Sequence, residues 1–500
     1  MDKAFTTLIR FGLGRRPGEA LPADPARWGE AQFAAFRPAL PGADRLARPE
    51  AVLARYLEYL KERKAEKQAQ ARSIAMAEAG AGPGTEPGMD PGIGPANGPV
   101  EPLPAAKPAE AAGLELRRFL RQQYTAQVGL RLRAAASSDA PFVERLVHFW
   151  ANHFAVSADR ADLRALTAFL EFDAIRPHVL GRFEDMLVAV ERHPAMLLYL
   201  DQAKSVGPGS ALGRRSADKG RPIGLNENLG REILELHTLG VRAGYSQADV
   251  TELARALTGW SVTGLGRGVT AGAGQGTAPA GQFVYAADLH EPGSRTVLGK
   301  TYSDGGEGQA RAVLADLARA PATARHIAVK LARHFVADDP PPALVAGLEQ
   351  AFLESGGDLP RVYAALLSAP EALAGAPAKF RSPWQWTLAS LRGAPELLRG
   401  MTDQGLTATL EQLGQPTWRP GSPAGFDDIA AAWAAPDALY RRIEAAGRLA
   451  AQYTQGDPRA LAQDLFGAGL SPATRDTVAR ADSAQQGFAL LLVSPEMLRC

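Results

Sequence analysis

The chain of 500 residues has a single cysteine, Cys500. One thiol excludes an intrachain disulfide and any cysteine-based zinc cluster. An excess of charge of one sign is also missing: Lys+Arg 55 against Asp+Glu 54 give a formal net charge of +1. That balance removes the electrostatic case for nucleic acid or an anionic membrane as the main partner. Long apolar runs are absent. None approaches the roughly 20 residues that a membrane helix needs, so no membrane span is expected. The opening residues, MDKAFTTLIRFGLGRRPGE, hold no apolar core followed by a small-residue cleavage site. As written the chain therefore has no leader, and a cytoplasmic location is expected. No His-Glu-x-x-His spacing occurs, which excludes a zincin-type site. GLGRG and GPGSALG lack the strand-to-helix setting of a dinucleotide loop or a P-loop. GWSVTG is not a nucleophile elbow.

What is present is ordinary for a soluble globular protein, with 46% hydrophobic and 22% charged residues. The fold class expected is mainly α, a multi-helix globular fold with at most a small β-hairpin near 283–302. Residues 1–79 read as an N-terminal helical segment of the main fold, with a helix over 48–74 rich in Ala, Leu, Glu, Lys and Gln. Residues 80–108 are dominated by Gly and Pro and read as a disordered or extended linker. Residues 109–500 form the main helical domain, with loops at 204–224 and 263–281. Asn226 is a plausible N-cap for a helix over Glu227–Leu239 that stops at Gly240. A second helix starts after Ser246, which stands three residues before Asp249 in capping-box spacing. Further helices are expected at 322–336, 343–354, 359–368 and 383–392.

The stretch NENLGREILELHT, Asn226 to Thr238, concentrates polar chemistry on the first of these helices. At roughly 100° per residue, Asn228, Arg231, Glu232 and Glu235 share one arc. Two readings stand. The polar side faces water, with Glu227–Arg231 and Arg231–Glu235 as i,i+4 pairs. Alternatively Glu232 and Glu235 form a carboxylate pair that shares a metal ion, or that holds one member protonated as a general acid. Arg231 would then orient an anion. His237 lies nearly opposite Glu232 and joins the site only if the helix ends or turns there.

Three further histidine groups are candidates. In HFWANHF, 148–154, His148 and Asn152 lie on one face, and Trp150 and His153 on another. A histidine beside aromatics is commonly a hydrogen-bonded core residue, and less commonly a ligand. His290, in the turn DLHEPGSRT, either projects into a cleft or faces solvent. His326, Lys330 and His334 form a stripe beside the core positions Ile327, Leu331 and Phe335, and read better as surface or hydrogen-bonded structure. The helix QADVTELARALTGW carries two acids and one arginine, a poor surface for phosphate contacts.

Taken in order, RFGLGRRPGE, ERLVHFWANHFAVS, NENLGREILELHTLGV, YSQADVTELARALTGW, LHEPGSRTVLG, IAVKLARHFV, KFRSPWQW and LLLVSPEMLRC resemble the bacterial family called domain of unknown function 1800. The resemblance runs through most of the chain, and the NENLGRE segment with its following helix is its most specific part. It implies a signature made of Trp150, His153, Asn226, Glu227, Asn228, Arg231, Glu232, Glu235 and His290. It also implies envelope-related work: many members look exported, and they are often encoded beside a second family similar in fold to alkaline phosphatases. The chain departs from the pattern at His290-Glu291 and Arg295, where the family usually shows His-Asp and then Lys. Those swaps keep charge and alter reach.

Two functions follow as expectations. In one, the protein is an acid–base enzyme, a hydrolase in outline, acting on an envelope-related substrate. Glu232, Glu235 and His290 are then catalytic, and Trp150, Asn226, Asn228 and Arg231 bind substrate. His153, Glu232 and Glu235 are the candidate ligands of a divalent metal ion, the cofactor such an oxygen and nitrogen set would take. In the other, the polar motifs form a buried network in a non-catalytic assembly module that holds a partner, such as the protein of a neighbouring gene. A site requires His153, Glu232, Glu235 and His290 to converge on an open pocket. A network requires the same groups to be saturated, with no cavity beside them.

Overall fold

A computed structural model of the chain describes residues 3–80, 108–267, 279–454 and 456–500. The expected linker at 80–108 and the expected loop at 263–281 fall in large part outside them. The fold is mainly helical. Its prolines fit that state because they stand where helices begin: Pro25–Ala35, Pro141–His153, Pro321–Phe335, Pro342–Ser355 and Pro383–Gly393 each open on proline. At that position the missing N–H removes no helical hydrogen bond, and the ring presets φ. The helix expected over 48–74 is Pro49–Gly80. Ser246 and Asp249 close the expected capping box on Gln247–Leu257. The expected loop at 204–224 contains a short helix, Ala211–Ala217, that its polar composition hides.

Among the described residues two antiparallel two-stranded sheets occur, one of them inside the 283–302 stretch where a hairpin is expected. Strand β1, Trp260–Val262, pairs with β2, Phe283–Tyr285, with Ser261 opposite Val284. Strand β3, Arg295–Val297, pairs with β4, Lys300–Tyr302. Neither pair spans the Glu-Pro-Gly-Ser stretch at 291–294. Tight reversal comes instead at Leu298 and Gly299, both at positive φ, where a two-residue turn matches the twist of the strands.

Two large apolar cores hold the helices. One gathers Phe142, Val147, Trp150, Leu229, Leu253, Ile327 and Leu331. The other gathers Phe5, Leu132, Trp386, Leu410, Leu449 and Phe488. The Pro141–His153 helix is covered nearly all round: eleven of its residues are buried, including Glu144, Arg145, His148 and His153. Polar groups so placed need partners, because an unpaired buried donor or charge is costly. This helix consequently organises polar chemistry on two of its faces. Among the described residues no helix is long and apolar enough to cross a membrane.

Candidate functional site

The first polar centre lies on the Trp150 and His153 face. Trp150 Nε1 donates to Tyr363 Oη at 2.7 Å. His153 Nε2 lies 3.1 Å from the carbonyl oxygen of His237, so that nitrogen carries the proton, and Nδ1 has no partner. His237 Nδ1 in turn meets Glu191 Oε1 at 2.7 Å, with both side chains fully buried. His237 Nε2 and Glu191 Oε2 have no partner.

The NENLGRE helix reaches this centre through an irregularity. It is α-helical over Asn228–Glu232 and then widens to a π-turn over Ile233–His237. Thr238 Oγ1 donates to Ile233 O at 2.6 Å and helps hold the widened turn. A π-turn brings residue i+5 back over residue i, which a regular helix does not. His237 thereby swings towards Glu232. Glu232 is half-buried, and no side chain hydrogen-bonds it among the described residues. Burial raises its carboxyl above the usual range, Glu235 and Glu191 add to the rise, and His237 opposes it.

The outer part of the same helix is saturated. Glu227 accepts from Thr251 Oγ1 at 2.6 Å and from Gln247 Nε2 at 2.8 Å, and pairs with Arg231 at 3.4 Å. The Thr251 bond, helped by Gln247 and Arg231, holds its carboxyl below the usual range. Arg231 also donates to Gln247 at 2.9 Å. The helix starts at Asn228 with Glu227 at its N-cap position, one residue later than expected, and Asn226 stands just outside it: its Oδ1 accepts from Asn228 N at 2.8 Å, and its own N–H donates to Ser205 Oγ at 3.0 Å. Glu235 lies beside Tyr245 and, after burial, helps push its phenol up.

His290 does not project into a cleft. It is buried, and its Nδ1 lies 2.9 Å from Thr258 O. Its ring packs on Tyr285, and Asp304 lies 3.8 Å from Nε2. None of these partners belongs to the 226–237 segment. Among the described residues no three His, Cys, Asp or Glu side chains are grouped so as to hold a metal ion, so His153, Glu232 and Glu235 do not assemble as a ligand shell. Trp150, His153, His290 and the residues of 226–237 do not line any of the four best-formed cavities among the described residues.

The second centre lies on the other face of the Pro141–His153 helix, where Arg145, His148 and Asn152 follow one another at helical spacing. They line a cleft of about 80 Å³ that is completed by Arg131, His334, Trp384, Trp418 and Asp428. Its roof is the segment 415–428. Asn152 clamps that roof with both ends of its amide: Nδ2 donates to Phe426 O and Oδ1 accepts from Phe426 N, each at 2.8 Å. Gly425, at φ +84°, permits the approach, since a Cβ there would stand 2.3 Å from Asn152 O. Trp418 also holds a left-handed backbone, φ 50°, a conformation that costs a non-glycine residue roughly 1–2 kcal/mol.

Inside the cleft His334 Nδ1 meets Asp428 Oδ2 at 2.6 Å. Burial keeps the imidazole neutral at pH 7 despite that carboxylate. Burial also works to raise the Asp428 carboxyl, but His334, Lys379 and Arg145 outweigh it and hold the group far below the usual range. Lys379 Nζ lies 2.6 Å from both Asp338 Oδ1 and Asp428 O. Arg145 Nε approaches His334 Nε2 at 3.3 Å. His148 Nδ1 accepts from Trp384 Nε1 at 3.1 Å, and its Nε2 is unpartnered.

The family model described as a protein of unknown function, DUF1800, matches residues 6–499. The chain belongs to this family. No curated protein and no solved structure matches it. In this DUF1800 protein three of the family-like segments meet at the cleft. HFWANHF supplies His148 and Asn152, IAVKLARHFV supplies His334, and KFRSPWQW supplies Lys379 and Trp384. Arg131, Arg145, Trp418 and Asp428 escape a reading of the sequence. The one local signal was the i, i+3, i+7 spacing of Arg145, His148 and Asn152 on a single face.

Proposed function

We propose that this DUF1800 protein is an acid–base enzyme of hydrolase type that works in the cleft under the 415–428 segment. The observation that carries the reading is the neutral His334 held by ionised Asp428 in the wall of a cavity. A carboxylate on Nδ1 sets the tautomer that leaves Nε2 as a base, which is the base-and-orienter logic of hydrolytic sites. His334 Nε2 takes a proton from water, the water oxygen attacks an acyl or phosphoryl centre, and the proton returns to the leaving group. The long contact from Arg145 gives way as the base engages. Glu232 and His237 stay outside this chemistry, and their network holds the framework. The envelope-related substrate implied by the family directs the first screen.

The test is a panel of ester, amide, phosphoester and glycoside substrates, including envelope polymers, with native protein, His334→Gln and Asp428→Asn. Turnover lost in both variants while they stay folded supports the proposal. Turnover equal to native in both overturns it. A second reading, a non-catalytic module that holds a partner protein, is favoured by the saturation of Glu227 and Asn226. It expects no turnover by any form, with partner capture lost on Glu227→Ala.

A further inference from the structure

The cleft contains two hydrogen-bond donors that the protein leaves unused. His148 Nδ1 accepts the Trp384 indole proton. A neutral imidazole that accepts at one nitrogen carries its hydrogen on the other. Nε2 is therefore an N–H donor, and it has no partner although the residue is only 8% exposed. The second donor is on Arg131. Glu171 grips its Nε at 2.8 Å and its Nη2 at 2.7 Å. That fork consumes one edge of the guanidinium, and Nη1 carries no hydrogen bond. The plane cannot turn away, because Trp384 and Trp418 hold it with ring centroids 4.2 and 5.1 Å from Cζ.

The lining holds charges of both signs. Arg131 is matched by Glu171, and His334 is neutral beside Asp428. Arg145 is 2% exposed and forms no ion pair with any carboxylate among the described residues, its donors going to backbone oxygens, His334 and the Cys500 sulfur. The anion nearest in kind is ionised Asp428, which Arg145 helps hold below the usual range without pairing to it directly. Asp427 also lines the cleft, but it is exposed at the rim. Two fixed donors, one of them on a guanidinium, form a receptor for an acceptor-only group that carries negative charge.

We propose that the cleft binds the oxyanion head of its ligand, a carboxylate or a phosphate, between Arg131 Nη1 and His148 Nε2–H. This rests on the reading of the same cleft as the working site. It places the anionic end of a substrate against the Trp384 and Trp418 wall, one group away from His334.

Calorimetric titration of the native protein with acetate and with inorganic phosphate, at constant ionic strength and against chloride, tests the inference and separates the two sources. One of the two anions is expected to bind. His148→Leu should weaken it at least tenfold, and His148→Gln, which keeps a donor, should retain most of the affinity. Nitrogen NMR of the native protein reads the same contact without a variant, as a shift of the His148 Nε2–H resonance on titration. No response to either anion, or unchanged affinity in folded His148→Leu, overturns the inference. Anion binding with no turnover in the substrate panel removes the acid–base reading alone. Turnover without an anion response removes this inference alone.

Discussion

The two faces of the Pro141–His153 helix carry similar residues and use them differently. On one, Trp150 and His153 join His237 and Glu191 in a centre that borders none of the four best-formed cavities among the described residues. On the other, Arg145, His148 and Asn152 border a cleft roofed by a clamped segment. Polarity alone did not separate them. The difference is where the hydrogen bonds end. In the first centre the donors end on buried protein atoms and only acceptors are left over, whereas in the second two donors have no protein partner. A buried polar network specifies packing, whereas preorganised unused donors specify a ligand.

Breaking the first centre should cost the most stability. Glu191→Ala removes the partner of His237 in a fully buried pair, and a loss of about 3–5 kcal/mol is expected for such a break. Urea unfolding measures it, and a loss under about 1 kcal/mol would show that the network is not the frame. Acid should come next. His148 and His153 are held neutral by burial, with neighbouring charges adding to the effect, so their folded pKa values lie well below 6.5. The unfolded chain then binds protons that the folded chain refuses. Stability should therefore fall as pH drops below about 6.5. The Asp428 carboxyl is shifted the other way relative to its charge. Its contribution is present above the unfolded value of about 3.9 and is lost only as pH falls through its lower folded value. Asp428→Asn should flatten the most acidic part of the melting curve and leave the first decline unchanged.

Smaller effects sharpen the contrast. Gly425→Ala forces a Cβ towards Asn152 at positive φ. It should cost about 1–2 kcal/mol in strain and lift the roof, which faster amide exchange over 415–428 would reveal. Unchanged exchange there would mean that the clamp is not what closes the cleft. Glu227→Ala opens the outer network, but that side chain is 31% exposed. Solvent screening limits the loss to about 1 kcal/mol or less. His334→Gln keeps a polar neighbour for Asp428 and should remove turnover, whereas a folded variant that keeps full turnover would move the chemistry elsewhere.

Much of the helical scaffold was legible because its signals are local. Proline openings, the Ser246–Asp249 box and the apolar spacing around Ile327, Leu331 and Phe335 each act within a turn or two. The π-turn at Ile233–His237 was not legible, since it differs from an α-helix only in its bonding pitch. The condition it satisfies was stated nonetheless: His237 approaches Glu232 only where the helix departs from regularity. A small hairpin within 283–302 was legible, but the β1–β2 pair was not, because β1 finds β2 far along the sequence and strand propensity says nothing about partners. The cleft escaped for a related reason. Arg131, Asp428 and Trp418 lie hundreds of residues apart in part, and the roof has no periodicity. His334 looked like surface because only the roof covers it.

Crystallographic soaking of small carboxylate, phosphate and amide fragments tests the central claim most directly. The account predicts that they collect in the cleft, with anionic ends between Arg131 and His148 and reactive ends towards His334. Fragments that collect instead at Glu232 and His237, leaving the cleft empty, would contradict it and return the site to the NENLGRE helix.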